Sequence, residues 1–280
     1  DEAVSSSGID LGDFESARHE VARQLELVTS PPPAPKPDER LKSLSVSSIV
    51  QLARCPKQFY WTIVRPLPRR PSAAARLGHE IHRWIEVQSI GQQRLDDPEA
   101  LPDLTPEERG TATPAELPAE EQLKHSFESS RFAALHPRYV EQSFAIWLPG
   151  GFLVRGRIDA VYVHDDGTWE VVDYKTGREP DADDETAKMQ LSIYAIAARQ
   201  IWGIDAAQLK VTYFYLKSGA IRSTPATELT LDEAELVETF KVVEGGVFHP
   251  TPGSLCHWCD FLGFCKAGQA RVAATPPTTV

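Results

Sequence analysis

Two hydrophobic periods alternate along the 280-residue chain, and their boundaries predict its elements. Residues 46–54 read as a helix, with Ser45 or Ser47 as the cap and Pro56 as the stop. A second helix is expected over 73–90, where Leu-Gly-His-Glu-Ile-His-Arg-Trp-Ile-Glu falls, and a short one near 120–132. The period then drops to two. Strands are expected at 140–148, 152–163 and 169–174, the last two joined by a turn at Asp165-Asp166-Gly167. Helical spacing returns at 184–201, and strands at 209–217 and 226–230 precede a closing helix at 231–243. The core order of helix, three strands, helix and strand is that of an α/β fold with a central sheet.

Outside that core the pattern weakens. Residues 11–28 read as a short amphipathic helix, and Pro-Pro-Pro-Ala-Pro-Lys-Pro-Asp-Glu after it as a stiff linker. Residues 1–43 are therefore expected to lead in from a preceding domain, 44–267 to form the folded domain, and 268–280 to be a disordered tail. Residues 96–121 hold nine carboxylates against Arg109, a net −8, with prolines and few large apolar side chains. They are expected to form an acidic flexible insertion over about 92–120. Residues 41–80 have the opposite sign, seven cations against Glu80. With Phe59, Tyr60 and Trp61 interleaved, this stretch suits nucleic acid, although the whole chain has a formal net charge of −11. No apolar run reaches membrane-spanning length and no signal-peptide pattern is present, so a cytoplasmic location without a membrane partner is expected. Met189 is the single methionine, as in a fragment of a longer or processed protein.

Two strands of the core carry an anomaly. Asp is depleted in strands, yet Asp159 and Asp173 interrupt two otherwise apolar runs. In the first, Val154, Gly156, Ile158, Ala160 and Tyr162 share one parity, and Arg155, Arg157 and Asp159 the other. Pairing across the Asp-Asp-Gly turn can bring Asp159 and Asp173 to the same end of a hairpin, and Lys175, two residues on, points to the same face as Asp173. Adjacent carboxylates repel unless a cation or proton lies between them. Carboxylate, carboxylate and ammonium at one point are what a metal-dependent hydrolytic site requires.

The four cysteines carry a second signal. Cys55 stands alone, while Cys256, Cys259 and Cys265 form C-x2-C-x5-C. Nothing suggests secretion, and the tight spacing favours a metal over disulfides. The spacing does not choose between tetrahedral zinc and an iron–sulfur cluster. Either would staple the amino-terminal helix to the carboxy-terminal segment, with Trp258, Phe261 and Phe264 buried around the metal. No G-x-x-x-x-G-K-[ST] loop occurs, so no ATP-driven motor lies in this segment.

The run from Gly156 to Gly177, the upstream Gly-His-Glu-Ile-His, the downstream Gln-Leu-Ser-Ile-Tyr and the cysteine frame together resemble a known family. It is the iron–sulfur group of the RecB-like PD-(D/E)XK nucleases, and the nuclease domains of actinobacterial AdnAB-type helicase-nucleases are most similar, over about residues 44–267. The resemblance implies a restriction-endonuclease-like core, a mixed sheet flanked by helices. It implies Mg2+ or Mn2+ held by His82, four residues after Gly78, with Asp159, Asp173 and the Tyr174 carbonyl; His79 is off that spacing. Lys175 would orient or activate water, Gln190 and Tyr194 would support the site and the DNA strand, and Glu141 would assist through the metal's water shell. Cys55, Cys256, Cys259 and Cys265 would hold a [4Fe-4S] cluster, leaving His257 without a ligand role. The implied activity is hydrolysis of single-stranded DNA at duplex ends during double-strand break resection. The implied partners are a helicase domain in the same polypeptide and a second helicase-nuclease subunit. A catalytically inactive DNA-binding scaffold and a zinc-stabilised interaction domain are the competing readings; the second leaves the paired aspartates unexplained.

Overall fold

The computed structural model describes residues 15, 18–22, 39–69, 72–90, 117–179 and 185–274. Two compact units divide the chain, Asp1–Lys36 and Pro37–Val280. In the first, residues 15 and 18–22 are helical; the rest of the helix expected over 11–28 lies outside the described residues.

In the second unit, β1 (Ser43–Ser45) leads directly into α1 (Val46–Arg54). Ser45 is the cap, accepting the Ser48 amide at 3.1 Å, and Pro56 ends the helix as expected by opening α2 (Pro56–Phe59). α3 (Ala73–Ile90) has the expected bounds. α4 (Leu117–Glu128) stops short of the expected 132, because Ser130 caps a separate turn over Arg131–Ala134 that buries Phe132. Four further strands and a helix follow: β2 (Tyr139–Leu148), β3 (Phe152–Val163), β4 (Trp169–Lys175), α5 (Glu185–Trp202) and β5 (Leu209–Tyr215). The last strand, β6 (Ala220–Pro225), precedes the expected 226–230. Gly219, at φ 73°, makes a tight turn straight back from β5, and β6 is a polar edge strand whose mixed exposure hides it from a hydrophobicity count. α6 (Glu233–Glu244) opens with an Asp232–Glu235 capping box. α7 (Lys266–Ala274) makes residues 268–274 of the expected disordered tail helical, being alanine-rich, with Gly268 letting it close against Leu262 and Cys265; residues 275–280 of that tail lie outside the described residues. Of the acidic insertion, the part through residue 116 lies outside the described residues, and the remainder begins α4.

The six strands form one mixed sheet, with β1–β3 and β4–β5 parallel and the other pairs antiparallel. Helices cover it from two sides. On one, α1, α5 and α6 bring Ile49, Leu52, Ile193, Leu236 and Phe240 against Val154, Val171 and Val211. On the other, α3 and α4 bring Ile81, Ile85, Leu123 and Phe127 against Tyr162, Val172, Tyr174 and Phe214. Burial of β4 and β5 on both faces explains their nearly unbroken apolar sequence.

The sheet has a gap, and the gap positions the site. β2 runs along one edge of β3 for its length, so β1 and β4 share the other edge. β1 takes residues 153–155 and β4 takes 160–163, leaving 156–159 unpaired on that side. The parity expected for β3 also fails here. Phe152, Val154 and Ile158 enter the first core, whereas Ala160 and Tyr162 enter the second and Val161 the first, so the strand exchanges faces around Asp159. Opposite Asp159 stands Glu141 with a φ of 48°, a left-handed conformation rare for any residue but glycine.

Candidate active site

Asp159 and Asp173 lie one step beyond the last paired residues of the hairpin, Ala160 and Val172, as the turn register required. Asp159 Oδ2 accepts the Tyr174 amide at 2.8 Å, so a side chain takes the place of a strand hydrogen bond where β3 and β4 part. His82 approaches from α3. Gly78, one turn earlier, lets that helix sit close to the loop after β4: a β-carbon there would lie 3.1 Å from Thr176 Oγ1. His82 Nδ1 stands 3.4 Å from Asp159 Oδ1 and 3.8 Å from Glu141 Oε1. One ligand atom from each of His82, Glu141 and Asp159 lies within 4.8 Å of the others.

A second group surrounds Asp173. Its Oδ1 accepts hydrogen bonds from Gln190 Nε2 at 3.1 Å and Tyr194 Oη at 3.0 Å, both from α5. Lys175 Nζ is 2.7 Å from Oδ2 and donates to Gln190 Oε1 at 3.1 Å, where Tyr213 Oη also donates at 3.0 Å. The Gln190 amide also donates to Tyr194 Oη at 2.9 Å. Asp173 is 5% exposed and its Oδ2, apart from the ammonium, has no aligned hydrogen bond.

The electrostatics of the two aspartates diverge. Burial and then the Asp159 charge push Asp173 above the ordinary carboxylate value, with Lys175 acting in the opposite sense. Burial also pushes Asp159 upward, but the charge and hydrogen bond of His82, the Tyr174 amide and Lys175 together hold it lower. Burial disfavours a charged His82, yet Asp159 and Glu141 outweigh it and raise the imidazole well above its ordinary value. Burial and the charges of Asp173 and Asp159 raise Tyr194 well above 10, which keeps its hydroxyl as a donor. Three carboxylates, an imidazole and an ammonium thus meet at the sheet gap, and the carboxylate oxygens with one nitrogen fit a hard divalent cation.

Residues 43–266 match the sequence profile described as the PD-(D/E)XK nuclease superfamily, which covers most of the chain. The chain belongs to that superfamily. PD-(D/E)XK nucleases use divalent metals, and in this domain the His82–Glu141–Asp159 group supplies suitable ligands. The "Gene 69 protein" of Mycobacterium phage D29 is 38% identical over 133 residues, 45% of this chain and 47% of the phage protein, so the chain spans about half the length of that curated relative. The solved structure of a "Putative exonuclease" from Eubacterium rectale is 14% identical, with a TM-score of 0.47 over 86% of this chain and 92% of the other.

Glu141, expected to assist through the metal's water shell, has its carboxylate beside His82 and Asp159. Its positive φ has no sequence signal. Arg157, unassigned from sequence, pairs with Glu141 Oε2 at 2.6 Å. Tyr174 gives its amide to Asp159, and its hydroxyl meets that of Tyr162 at 2.9 Å within the second core.

The cysteines of the PD-(D/E)XK domain line one pocket without converging on a point. Cys55, Cys256, Cys259 and Cys265 share it with Lys57, Trp61 and Gly268, yet no three of their sulfurs lie within 4.8 Å of one another. The expected burial of the neighbouring aromatics is corrected. Phe261 is buried against Trp61, but Trp258 is 74% and Phe264 70% exposed, because the short turns there are too open to cover them. Phe59, expected at a nucleic-acid surface, is a core residue, and Tyr60 and Trp61 are half-buried beneath Lys57. Among the described residues no helix is long and apolar enough to cross a membrane.

Proposed function

We propose that this domain hydrolyses DNA phosphodiester bonds as an exonuclease on single strands, using Mg2+ or Mn2+. The observation that carries the reading is the meeting of the His82–Glu141–Asp159 group with the Asp173–Lys175–Gln190–Tyr194 network at the sheet gap. The ion would be held by His82, Asp159, Asp173 and the Tyr174 carbonyl, with Glu141 beside them. When bound, it lowers the pKa of water and offsets charge growing on the phosphoryl oxygens. Gln190 and Tyr194 hold Asp173 Oδ1 and Lys175 stands at Oδ2, which fixes the carboxylate where it would serve the cation. Lys175, one-third exposed, stands where it can orient water from the solvent side. Labelled single-stranded DNA incubated with and without Mn2+ tests the activity; no metal-dependent shortening would leave a DNA-binding scaffold. Lys175→Met is expected to slow cleavage about 10²-fold with Mn2+ affinity retained in calorimetry. Joint loss of both would make Lys175 a structural partner of Asp173 instead.

We assign the cysteine pocket to a [4Fe-4S] cluster. Backbone amides point at the sulfurs: Thr251 at Cys55 (3.5 Å), Gly253 at Cys256 (3.4 Å) and Gly268 at Cys265 (3.3 Å). A tetrahedral zinc would draw the sulfurs to within about 3.8 Å of each other, since Zn–S is ~2.3 Å, and a larger cluster better suits four sulfurs of which no three lie within 4.8 Å of one another. Anaerobically purified protein is expected to be brown with broad visible absorbance, and Cys55→Ala to lose the colour and unfold at lower temperature. Colourless protein with stoichiometric zinc would refute this assignment. The place of the domain in a helicase-nuclease, with an upstream helicase domain, a second subunit and a role in double-strand break repair, rests on the sequence resemblance.

A further inference from the structure

The sheet leaves one surface open beside the site. Along β2 and β3, Phe144, Ile146, Leu148, Phe152 and Val154 face the first core, so their neighbours face away from it. Among the described residues, none of the outward side chains from Ser143 to Trp147 and from Leu153 to Arg157 is buried. Arg155, Arg157, Ser143 and Ala145 are exposed, and Trp147 is 66% exposed.

We infer that this face is the track along which single-stranded DNA reaches the metal site. The inference rests on the nuclease reading and adds the residues that guide the substrate. Arg157 marks the inner end, its Nε 2.6 Å from the Glu141 carboxylate. Arg155 is the next residue on the same face, about 6.8 Å further out at the strand's rise, and has no ion pair among the described residues. Leu153 follows, paired with Trp147. Two guanidiniums and an indole therefore stand in a row that starts at the catalytic carboxylates. Their spacing is close to the step between successive nucleotides of an extended strand. Ser143 and Ala145, directly opposite Arg157 and Arg155, are too small to obstruct a bound chain. In β1, Ser45 lies beside Arg155. The only carboxylates in these three strands are Glu141 and Asp159, both in the metal group, so the strands place no other negative charge along the face. Arginines that follow a backbone, with an aromatic plane for a base, are the chemistry by which proteins hold single strands without reading sequence.

Fluorescence anisotropy of labelled oligo-dT in EDTA, where no cleavage occurs, measures this track apart from hydrolysis. Arg155→Ala and Trp147→Ala are each expected to weaken binding about ten-fold. Arg155→Ala is also expected to lower the salt dependence by ~0.7 in the log–log slope, one phosphate contact on a single strand. Oligonucleotides carrying 5-iododeoxyuridine are expected to crosslink to Trp147 on irradiation. Thermal unfolding is read beside each variant, and Arg155→Lys is expected to restore most of the affinity if the side chain supplies charge. Parental affinity in both alanine variants, or crosslinks mapping to Trp61 or Trp258, would overturn the track. So would a change in oligomeric state in place of DNA affinity, which would make the face a contact between copies. None of those outcomes bears on whether the parent cleaves DNA with Mn2+, so failure of the track and failure of the nuclease reading are separable.

Discussion

Asp173→Asn is expected to lower metal-dependent DNA cleavage by about 10²–10³-fold while the domain stays folded. Asparagine keeps the oxygen that accepts from Gln190 and Tyr194, so the α5 contacts survive. What it removes is the negative charge at Oδ2, where the carboxylate meets the Lys175 ammonium. Burial and Asp159 already make that charge unfavourable, outweighing Lys175 and His82. The variant should therefore unfold in metal-free buffer at the parental temperature or above it. Mn2+ should raise the unfolding temperature of the parent, because it binds the folded state, and do so far less in the variant. Cleavage at the parental rate, or an equal Mn2+ response, would remove Asp173 from the site.

Arg131→Met is expected to destabilise the domain by about 2–3 kcal/mol, a fall of ~5–10 °C in unfolding temperature, without touching the catalytic residues. Glu170 has no exposed surface and is the second residue of β4. Arg131 grips its two oxygens at 3.0 and 2.5 Å, His164 approaches at 2.7 Å, Thr212 donates at 2.7 Å and Lys210 lies 3.4 Å away. Losing Arg131 leaves a buried carboxylate with weaker partners, and the surviving His164, Lys210 and Thr212 set the estimate just below the ~3–5 kcal/mol typical of broken buried pairs. Burial pushes Glu170 up, but its bonds to Arg131, Thr212 and His164 hold it below the ordinary 4.5. The network's stabilisation is therefore complete above pH 4.5 and is lost as the pH falls through the lower folded-state value. Melting curves of parent and variant should differ most near neutrality and converge in acid. A gap that stays constant through the acid limb would assign the loss to packing instead.

The parts legible in the sequence were those set by local physics. Periods of 3.6 and 2 gave α3 its bounds and β2 to β5 nearly theirs, because the apolar faces of those elements are buried in the two cores on either side of the sheet. β6 was misplaced, since a polar edge strand buries no periodic face. Asp159, Asp173 and Lys175 were visible because charged residues in apolar strands break a pattern, and the turn register then placed the two aspartates together. His82, Gln190 and Tyr194 came only through the family resemblance. The fold explains them: α3 and α5 pack on opposite faces of the sheet and bring all three to the same gap. Glu170 in β4 breaks the same kind of pattern, but its partners come from 39 and 42 residues away as well as six, and no spacing rule joins them. Tertiary structure alone decided the split edge of β3, the exchange of faces at Asp159 and the left-handed Glu141 that completes the group. Each depends on which strands compete for one row of backbone hydrogen bonds, a competition between segments that no single segment's sequence records.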